Sequence, residues 1–547
     1  MSDPTRVEWR SWEPSAFEEA AASDVPILLS LTATWCAPCH EMDARTFAEP
    51  RIAANVNDGF VPIRVDVDRH PRVRERYNMG GFPTVAFLTP SGELLTGSTY
   101  LDPDGMRQVI DAVRELWADR GNEAGRIPRA LTDEPPWGEL DRRIDEQLAG
   151  QLRAQFDDVH AGWGTDAKFP LPRTIEYALK RDRDLAVGTL DAIERHLMDP
   201  IDGGFFRFAE RRDWSDVHYE KTAATNAAIV RAFASGYLYT GEDRYRAAAE
   251  NGVEFLTDEL WTGIAVGGSI GPGAGERYYE ADPADRPDTH SPRRDPTIYA
   301  GENGLAATAL AEYYAYTDDD RAREYAERIL AAIDTELIDD GVVVRYCTDE
   351  AVGDATLLSD CARTLTAYIR ARQVFGTLSI ENESNDPLSI ARSIADETID
   401  RLFVDGALLD GPPTGLGLCD RPLRPIDSTA EFAHALVELS ILTGNDRYAS
   451  VAHEALSAFA GAADRMGVQV ADYAAATARL LDGPLVIDVG AASGSDLHRA
   501  ALRVADHEKV VIPESDRAPA GAAIVRGEDE TPAETPEELM ERVTTTN

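Results

Sequence analysis

The first 120 residues alternate short apolar runs with amphipathic stretches, a pattern typical of an α/β domain. Four apolar or alternating runs predict strands, at residues 25–31, 61–66, 84–88 and 93–97. Five stretches with helical spacing predict helices, at residues 14–22, about 40–47, 51–57, 71–77 and 104–118. We therefore expect a separate β/α domain over residues 1–120.

The pattern changes to long helices after residues 121–138, which are rich in Gly, Pro and charge and predict a linker. One junction between helices recurs, as Tyr-Thr-Gly-Glu-Asp-Arg-Tyr at 239–245, Tyr-Thr-Asp-Asp-Asp-Arg at 316–321 and Leu-Thr-Gly-Asn-Asp-Arg-Tyr at 442–448. Gly or Asp would end one helix and Asp or Asn would cap the next, and residues 375–387 form a similar junction with a longer insert. Repeated helical hairpins must stack to bury their apolar faces. We expect an α/α toroid over residues 139–482, with an open solenoid as the alternative.

The connections at the other ends of these helices are long and contain most of the prolines. They are residues 163–172, 199–221, 261–303, 337–357 and 403–429. In a toroid these loops would meet at one mouth and build a ligand pocket, because function concentrates on such loops.

The last segment, residues 483–547, returns to a β/α pattern. Apolar runs predict strands at residues 485–489, 510–512 and 522–525. A helix through Val504, an acidic stretch and a last short helix complete this predicted unit. The glycines at 490 and 494 lack the lysine of a phosphate loop, so nucleotide binding is not expected.

Charge narrows the range of partners. The formal net charge is −43, and lysine occurs only at positions 168, 180, 221 and 509. Such a surface disfavours nucleic acid and anionic membranes as partners and is typical of a salt-rich cytoplasm, although a generic acidic surface is the alternative. No apolar segment resembles a signal sequence or a membrane span. We expect a cytoplasmic protein with no metal and no cofactor.

The Cys36-Ala37-Pro38-Cys39 segment is the clearest chemical motif, because it follows an apolar strand and begins a helix. The dipole of a helix start lowers the pKa of the first thiol, and the second thiol can resolve a mixed disulfide. The alternative, half of a zinc site, lacks a second Cys-x-x-Cys pair. Cys347, Cys361 and Cys419 are isolated, and we expect structural roles for them.

These residues and the β/α order resemble thioredoxin. The resemblance implies that Cys36 attacks, that Cys39 resolves, and that Trp35 lies beside them. It also implies that Pro83 is the cis-proline that contacts the substrate backbone. Two features depart from thioredoxin: Ser30 replaces a buried acid, and Arg64 replaces a lysine. His40 could then accept a proton from Cys39, or could simply face solvent.

Several motifs in the predicted mouth loops offer acids, bases and amides. The pocket candidates are Lys168, Asp202, Arg207, His218, Glu220, Lys221, Asn226, Glu302 and Asn303, with Asp213 as a further acid. Two of the four lysines lie in these motifs, which suggests that the site needs an ammonium group that arginine cannot imitate. The alternative is that His218, Glu220 and Lys221 form a buried network that holds the loops together.

Together with the cysteine pair, these motifs resemble a family of long proteins that includes the spermatogenesis-associated thioredoxin-domain proteins. The matching segments are Lys168-Phe169-Pro170, Gly203-Gly204-Phe205, His218 to Asn226, and Asn303-Gly304-Leu305. The resemblance implies a thioredoxin-like domain joined to a six-hairpin glycosidase-like toroid. The chain departs from the family at Ala37-Pro38, at Thr225, where Asp is usual, and at Glu302, where Trp is usual.

The leading functional hypothesis is a thiol–disulfide oxidoreductase that acts on a protein disulfide. The first alternative is a carbohydrate-active epimerase or hydrolase that binds a sugar or another small molecule in the toroid. The second alternative is a binding protein whose thiols sense redox state.

Overall fold

The computed structural model describes residues 5–286, 291–349, 351–380 and 383–546. The predicted loop 261–303 and the predicted terminal segments therefore lie partly outside the described residues. None of the described helices is both long and apolar enough to span a lipid bilayer.

The N-terminal domain has the thioredoxin-like order of elements. Its helices are α1 Pro14–Ser23, α2 Ala37–Arg45, α3 Pro50–Gly59, α4 Pro71–Tyr77 and α5 Pro103–Arg120. Its strands are β1 Ile27–Thr32, β2 Val61–Asp66, β3 Thr84–Leu88 and β4 Leu94–Ser98. The sheet order is β2-β1-β3-β4, with β1 and β2 parallel and the other pairs antiparallel. The predicted bounds of β2, β3 and α4 are confirmed without change.

Strand β1 is buried because helices cover both faces of the sheet. Ile27, Leu29 and Leu31 pack in the layer that contains α1 and α4. Leu28 points the other way and packs with α3 and α5. Because successive side chains of a strand point to opposite faces, β1 contributes to the core on both sides of the sheet.

The middle of the chain is a closed α/α toroid, and the open-solenoid alternative is wrong. Its helices are α6 Arg143–Ala154, α7 Pro172–Arg181, α8 Arg183–His196, α9 Ala223–Thr240, α10 Asp243–Glu254, α11 Glu276–Tyr279, α12 Ala300–Thr317, α13 Asp320–Leu337, α14 Leu358–Val374, α15 Pro387–Leu402, α16 Ile426–Thr443, α17 Asp446–Ser457 and α18 Ala471–Asp482. Helices α7, α9, α12, α14, α16 and α18 each pack on the next, and α18 returns to α7. The outer ring consists of α6, α8, α10, α13, α15 and α17.

The recurring junctions end the inner helices as the sequence predicts. Gly241, Asp318 and Gly444 follow α9, α12 and α16 in the left-handed conformation, with φ of 68°, 60° and 67°. Asp319 and Asn445 then cap the next helices through their side chains. Glu242, at the start of α10, provides no side-chain cap.

Short strands connect the helices. They are β5 Phe208–Ala209, β6 Val217–His218, β7 Lys221–Thr222, β8 Ser269–Ile270, β9 Arg294–Asp295, β10 Ile338–Asp339, β11 Val342–Val343, β12 Leu378–Ile380, β13 Glu383–Asn385, β14 Phe403–Val404 and β15 Ala407–Leu408. The pair β12 and β13 forms the predicted longer insert before α15. Short 3₁₀ turns lie at Gly121–Ala124, Arg129–Leu131, Pro283–Asp285, Gly417–Asp420, Ala460–Arg465 and Val468–Val470, and a π turn lies at Phe255–Glu259.

A ring of alternating charges fills the axis of the toroid. Each inner helix contributes one member, in the order Glu176, Arg231, Glu312, Arg370, Glu438 and Arg479. Successive members are separated by 3.0, 3.0, 3.0, 3.6 and 2.9 Å. Only about 50 Å³ of open space remains among the residues around them. We call these six residues the charge ring, and little open space is left around them.

The C-terminal unit covers the far end of the toroid. Its elements are β16 Val486–Val489, α19 Asp496–Leu502, β17 Val510–Pro513, β18 Ala523–Val525 and α20 Pro536–Thr546. Gln373, near the end of α14, accepts a hydrogen bond from the Val511 backbone at 2.9 Å. Its own carbonyl is 2.8 Å from His498 Nε2. The unit therefore lies against the C-terminal ends of the inner helices.

The thioredoxin-like domain packs on the opposite end, where the inner helices begin. Arg76 of α4 pairs with Asp410 of the toroid, with Nη2 and Oδ1 3.0 Å apart. Arg72 donates hydrogen bonds of 2.9 Å to the carbonyls of Pro412 and Thr414. The Tyr77 hydroxyl accepts a hydrogen bond of 2.8 Å from a toroid backbone amide. Helix α4 is thus the main docking element of the domain.

Candidate functional site

Cys36 and Cys39 form a disulfide at the start of α2, as the Cys-x-x-Cys motif predicts. Cys36 is the residue before the helix, and its Sγ accepts a hydrogen bond of 3.2 Å from the backbone N–H of Cys39. The free amides and dipole of a helix start stabilise a thiolate at this position. Both cysteines are buried, with Cys36 only 2% exposed. Cys347, Cys361 and Cys419 are outside any disulfide.

The bond between Phe82 and Pro83 is cis, as the resemblance to thioredoxin implies. The Phe82 ring makes an edge contact with the ring of Trp35, with the centroids 5.4 Å apart. Because Trp35 directly precedes Cys36, this ring contact places the cis-proline loop beside the disulfide.

The proton-transfer groups around Cys39 differ from expectation. Burial and the positive charge of Arg293 lower the pKa of His40 to about 4. His40 is therefore a weak acceptor for the proton of Cys39. Ser30 is buried in β1, at the position where thioredoxin has an acidic side chain. Arg64, which replaces the lysine of thioredoxin, forms an ion pair with Asp43. Its guanidinium lies 4.4 Å from the centre of the Trp9 ring.

Trp35 connects the disulfide segment to the toroid. Its indole N–H donates a hydrogen bond of 2.8 Å to the carboxylate of Asp68, just after β2. The guanidinium of Arg207, from a toroid loop, lies 4.2 Å from the centre of the indole ring. Trp35 is only 6% exposed. The residue next to the attacking cysteine is thus held by both parts of the chain.

A cavity of about 620 Å³ separates the thioredoxin-like domain from the mouth of the toroid. Its charged and aromatic lining residues are Trp35, Asp68, Arg72, Arg74, Glu75, Arg207, Tyr299, Glu302, Arg345, Arg363, Asp410, Arg424 and Asp427. Arg345 spans the two parts: its Nε donates to the carbonyl of Asp68 at 2.6 Å, and its Nη atoms lie 3.1 Å from Glu302 and 2.7 Å from Asp360. We call this space the mouth cavity.

Two carboxyl groups in the mouth cavity differ in protonation. Burial and the negative charges of Asp66 and Glu302 raise the pKa of Asp68 to about 7, although the hydrogen bond from Trp35 acts to lower it. Burial also acts to raise the pKa of Glu302, but Arg345 and Arg363 outweigh it and lower that pKa. One carboxyl thus titrates near neutral pH while its neighbour stays ionised, the arrangement that acid–base catalysts use.

Sequence reasoning missed Asp68, Arg345 and Arg363. Each belongs to a residue type that the chain contains in large numbers. Their single signal in the sequence is position: Asp68 follows a parallel strand, and the other two lie in or after a predicted mouth loop.

His218, Glu220 and Arg207 form a network at the edge of the mouth cavity. His218 Nδ1 lies 3.4 Å from Glu220, and its Nε2 lies 2.7 Å from Glu210. Arg207 lies 3.2 Å from Glu220. Burial lowers the pKa of His218, but the hydrogen bonds to Glu220 and Glu210 outweigh burial and raise it. Of these residues, Arg207 lines the cavity.

The two predicted pocket lysines are buried in separate ion pairs. Lys168 is 3.0 Å from Asp157 and donates to the carbonyl of Ala161 at 2.9 Å. Lys221 pairs with Asp199 and is about 5 Å from three aromatic rings. Lys168 does not line the mouth cavity, and Lys221 faces a different space of about 450 Å³. Asp202 faces that second space and pairs with Arg286 at 2.7 Å.

Asn226 and Asn303 bind backbone instead of lining the mouth cavity. Each is the fourth residue of its inner helix, α9 or α12. Asn226 bonds the amide and carbonyl of Phe205 at 2.6 and 3.1 Å, and Asn303 bonds both groups of Val266 at 2.9 Å. These equivalent clamps hold successive mouth loops. Of the nine predicted pocket residues, the structure brings Arg207 and Glu302 together in the mouth cavity.

Residues 2–134 match the family model Thioredox_DsbH, described as a protein of unknown function, DUF255. The match spans the thioredoxin-like domain and most of the linker. The chain is 25% identical over 292 residues to human spermatogenesis-associated protein 20, as the predicted resemblance implies. That match covers 46% of this chain and 37% of the human protein, so the aligned part is well under half of the relative. Thioredoxin-1 of Drosophila melanogaster is 35% identical over 74 residues, which is 14% of this chain and 66% of that protein.

Some solved structures have a remote likeness to this chain. Cellobiose 2-epimerase from Spirochaeta thermophila is 18% identical with a TM-score of 0.46, over 57% of this chain and 83% of that chain. A family 76 glycoside hydrolase from Bacteroides thetaiotaomicron is 11% identical with a TM-score of 0.41, over 62% of this chain and 98% of that chain. The fold described above joins a thioredoxin-like domain with a Cys-x-x-Cys pair to a closed α/α toroid.

Proposed function

We propose that this protein is a thiol–disulfide oxidoreductase that uses Cys36 and Cys39. The observation that carries the proposal is the position of Cys36, whose Sγ accepts the 3.2 Å hydrogen bond from the first turn of α2. That contact stabilises a thiolate on Cys36, which is the attacking species. The cis-proline loop at Pro83 and the ring of Trp35 lie beside the disulfide.

In the reduced protein, the Cys36 thiolate would attack one sulfur of a substrate disulfide. The substrate S–S bond breaks, a mixed disulfide forms, and one substrate thiolate leaves and takes a proton. Cys39, as a thiolate, then attacks the Cys36 sulfur and releases the second substrate thiol. The protein ends in the disulfide form that the structure contains, and an external dithiol, or two molecules of a monothiol, must reduce it for another turnover.

The second step would be slow at neutral pH. Ser30 supplies no carboxylate below the pair, and His40 is a weak base because its pKa is about 4. Solvent would therefore remove the proton from Cys39, and the rate of resolution would rise with pH.

The test is insulin reduction by the wild type, Cys36→Ser and Cys39→Ser. We expect Cys36→Ser to abolish turnover, and Cys39→Ser to trap the substrate as a mixed disulfide on Cys36. Unchanged turnover in Cys36→Ser would contradict the proposal. The same trap would show whether the physiological substrate is a protein, which is the partner class that we propose.

A second candidate function is a carbohydrate-active enzyme that works in the mouth cavity. The observation that favours it is the pair Asp68 and Glu302, one titrating near neutral pH and one ionised, on the wall of one cavity. Loss of sugar turnover in Glu302→Gln, with Cys36→Ser unaffected, would support this function over the redox function. Saturable sugar binding without turnover would instead support a redox-sensing binding protein.

A cytoplasmic location in a salt-rich cell is part of the proposal, without nucleic acid or membrane partners. Its support is the composition, with 97 acidic residues against 54 basic ones. Screening by salt reduces the self-repulsion of such a surface.

A further inference from the structure

We propose that the mouth cavity binds a small hydroxylated molecule that carries an oxyanion, either a phosphate or a carboxylate. The site goes beyond the dithiol chemistry of Cys36, and it would stand even if that chemistry failed. It is built jointly by the thioredoxin-like domain and the toroid.

The size of the cavity suits a small molecule. A volume of about 620 Å³ falls within the ~300–1,000 Å³ of typical ligand sites. The charge ring separates this space from the far end of the toroid, because it leaves only about 50 Å³ along the axis.

The lining is enriched in positive charge relative to the rest of the chain. Six arginines line it: Arg72, Arg74, Arg207, Arg345, Arg363 and Arg424. Five carboxyl groups line it: Asp68, Glu75, Glu302, Asp410 and Asp427. The whole chain instead has 97 acidic residues to 54 basic ones. A protein that is acidic overall thus concentrates guanidinium groups around one cavity.

Two of these arginines have hydrogen-bonding capacity left for a ligand. Arg424 makes no hydrogen bond or ion pair with the other described residues, and its Nε is buried without a partner. Arg363 makes one hydrogen bond in this part of the chain, from Nε to Glu431 at 3.2 Å. Its terminal nitrogens remain for an oxyanion, which the planar guanidinium can bind in bidentate fashion.

Polar groups around the arginines complete the site. The hydroxyl side chains of Thr222, Thr225, Ser359 and Ser428 also line the cavity. Hydroxyl groups both donate and accept hydrogen bonds, so they suit a ligand that is rich in hydroxyls. Asp68, when protonated, can donate a hydrogen bond to the ligand instead of repelling it.

The experiment uses the full chain and three probes: glucose 6-phosphate, glucuronate and uncharged glucose. Calorimetry measures affinity, and the emission difference between wild type and Trp35→Phe measures contact with the indole. We expect at least one charged probe to bind and to change the Trp35 emission, with glucose much weaker. Tighter binding of glucose 6-phosphate identifies a phosphate ligand, and tighter binding of glucuronate identifies a carboxylate ligand.

The decisive variant is Arg424→Gln. Because Arg424 has no ion pair among the described residues, its replacement breaks no internal contact and should leave folding intact. We expect the affinity for the charged probe to fall about tenfold or more, the effect of losing one charged hydrogen bond. The matched control is Arg447→Gln on the outer surface, which should bind like the wild type. Equal binding of glucose, failure of both charged probes at millimolar concentration, or wild-type affinity in Arg424→Gln would overturn the proposal.

Discussion

The indole N–H of Trp35 donates a 2.8 Å hydrogen bond to Asp68, the carboxyl group whose pKa is about 7. The ring next to Cys36 therefore senses a proton equilibrium in the mouth cavity. The charged and titratable groups that act on Asp68 are Asp66, Glu302 and Arg345. The contact links the redox pair to the toroid by way of Asp68, whose carbonyl accepts a 2.6 Å hydrogen bond from Arg345.

We expect the fluorescence of Trp35 to titrate with a midpoint near pH 7. Below that pH Asp68 is protonated, and above it the ionised carboxylate changes the field at the indole. The measurement is the emission of wild type minus Trp35→Phe between pH 5 and pH 9. Asp68→Asn should remove the transition, whereas a transition that persists in Asp68→Asn would assign it to another group.

Lys168→Arg should destabilise the fold by about 2–3 kcal/mol. The Lys168 side chain is 0% exposed, and the larger, planar guanidinium does not fit the ammonium site formed by Asp157 and nearby carbonyls. The control is Lys180→Arg, because Lys180 is 36% exposed and pairs with Asp506 and Glu508. Chemical denaturation measures both, and equal effects would contradict this account.

Asp410→Asn should lower the free energy of unfolding by about 3 kcal/mol, because it leaves the buried guanidinium of Arg76 without its counter-charge. Limited proteolysis should then cut more rapidly where α4 meets the toroid. The matched control is Asp396→Asn, whose partner Arg447 is 48% exposed, and its effect should stay under about 1 kcal/mol. Similar losses in the two variants would argue against docking through α4.

Acid should unfold the toroid through the charge ring. Burial raises the pKa of Glu438, but Arg370 and Arg479 outweigh it and lower it to about 2. A carboxylate with a lowered folded-state pKa contributes stability above its unfolded pKa, and that contribution is lost as the pH falls from about 4.5 to about 2. Denaturation midpoints across this range provide the measurement. Glu438→Gln should be less stable at pH 7 and should flatten this part of the profile.

Potassium chloride should raise the unfolding temperature, because screening weakens repulsion within a chain of net charge −43. A thermal-denaturation series from low to molar salt provides the measurement. Sucrose at matched viscosity is the control, and a midpoint that is independent of salt would contradict the salt-rich setting.

The sequence predicts the elements better than the site. Strand β2 and helix α4 are found at their predicted bounds, because alternation and a proline at the helix start are local signals. The toroid follows from the repeated turns at Gly241, Asp318 and Gly444 for the same reason. The two lysines of the predicted pocket motifs, Lys168 and Lys221, form buried ion pairs outside the mouth cavity.

The mouth cavity is not a local feature. Asp68 is one of 97 acidic residues, and its pKa is raised by burial and by the charges of Asp66 and Glu302. Glu302 is more than two hundred positions away in the sequence. Arg345 reaches Asp68 because α4 places the thioredoxin-like domain on the toroid. The site depends on this docking, which no local pattern of residues predicts.

The lining of the mouth cavity ties ligand binding to docking. Asp410 pairs with Arg76 of α4 and also lines the cavity, and Arg72 of the same helix lines it as well. A molecule that fills the cavity would contact both domains at once, and its binding free energy would add to that of the docked arrangement. Occupancy should therefore slow proteolysis where α4 meets the toroid.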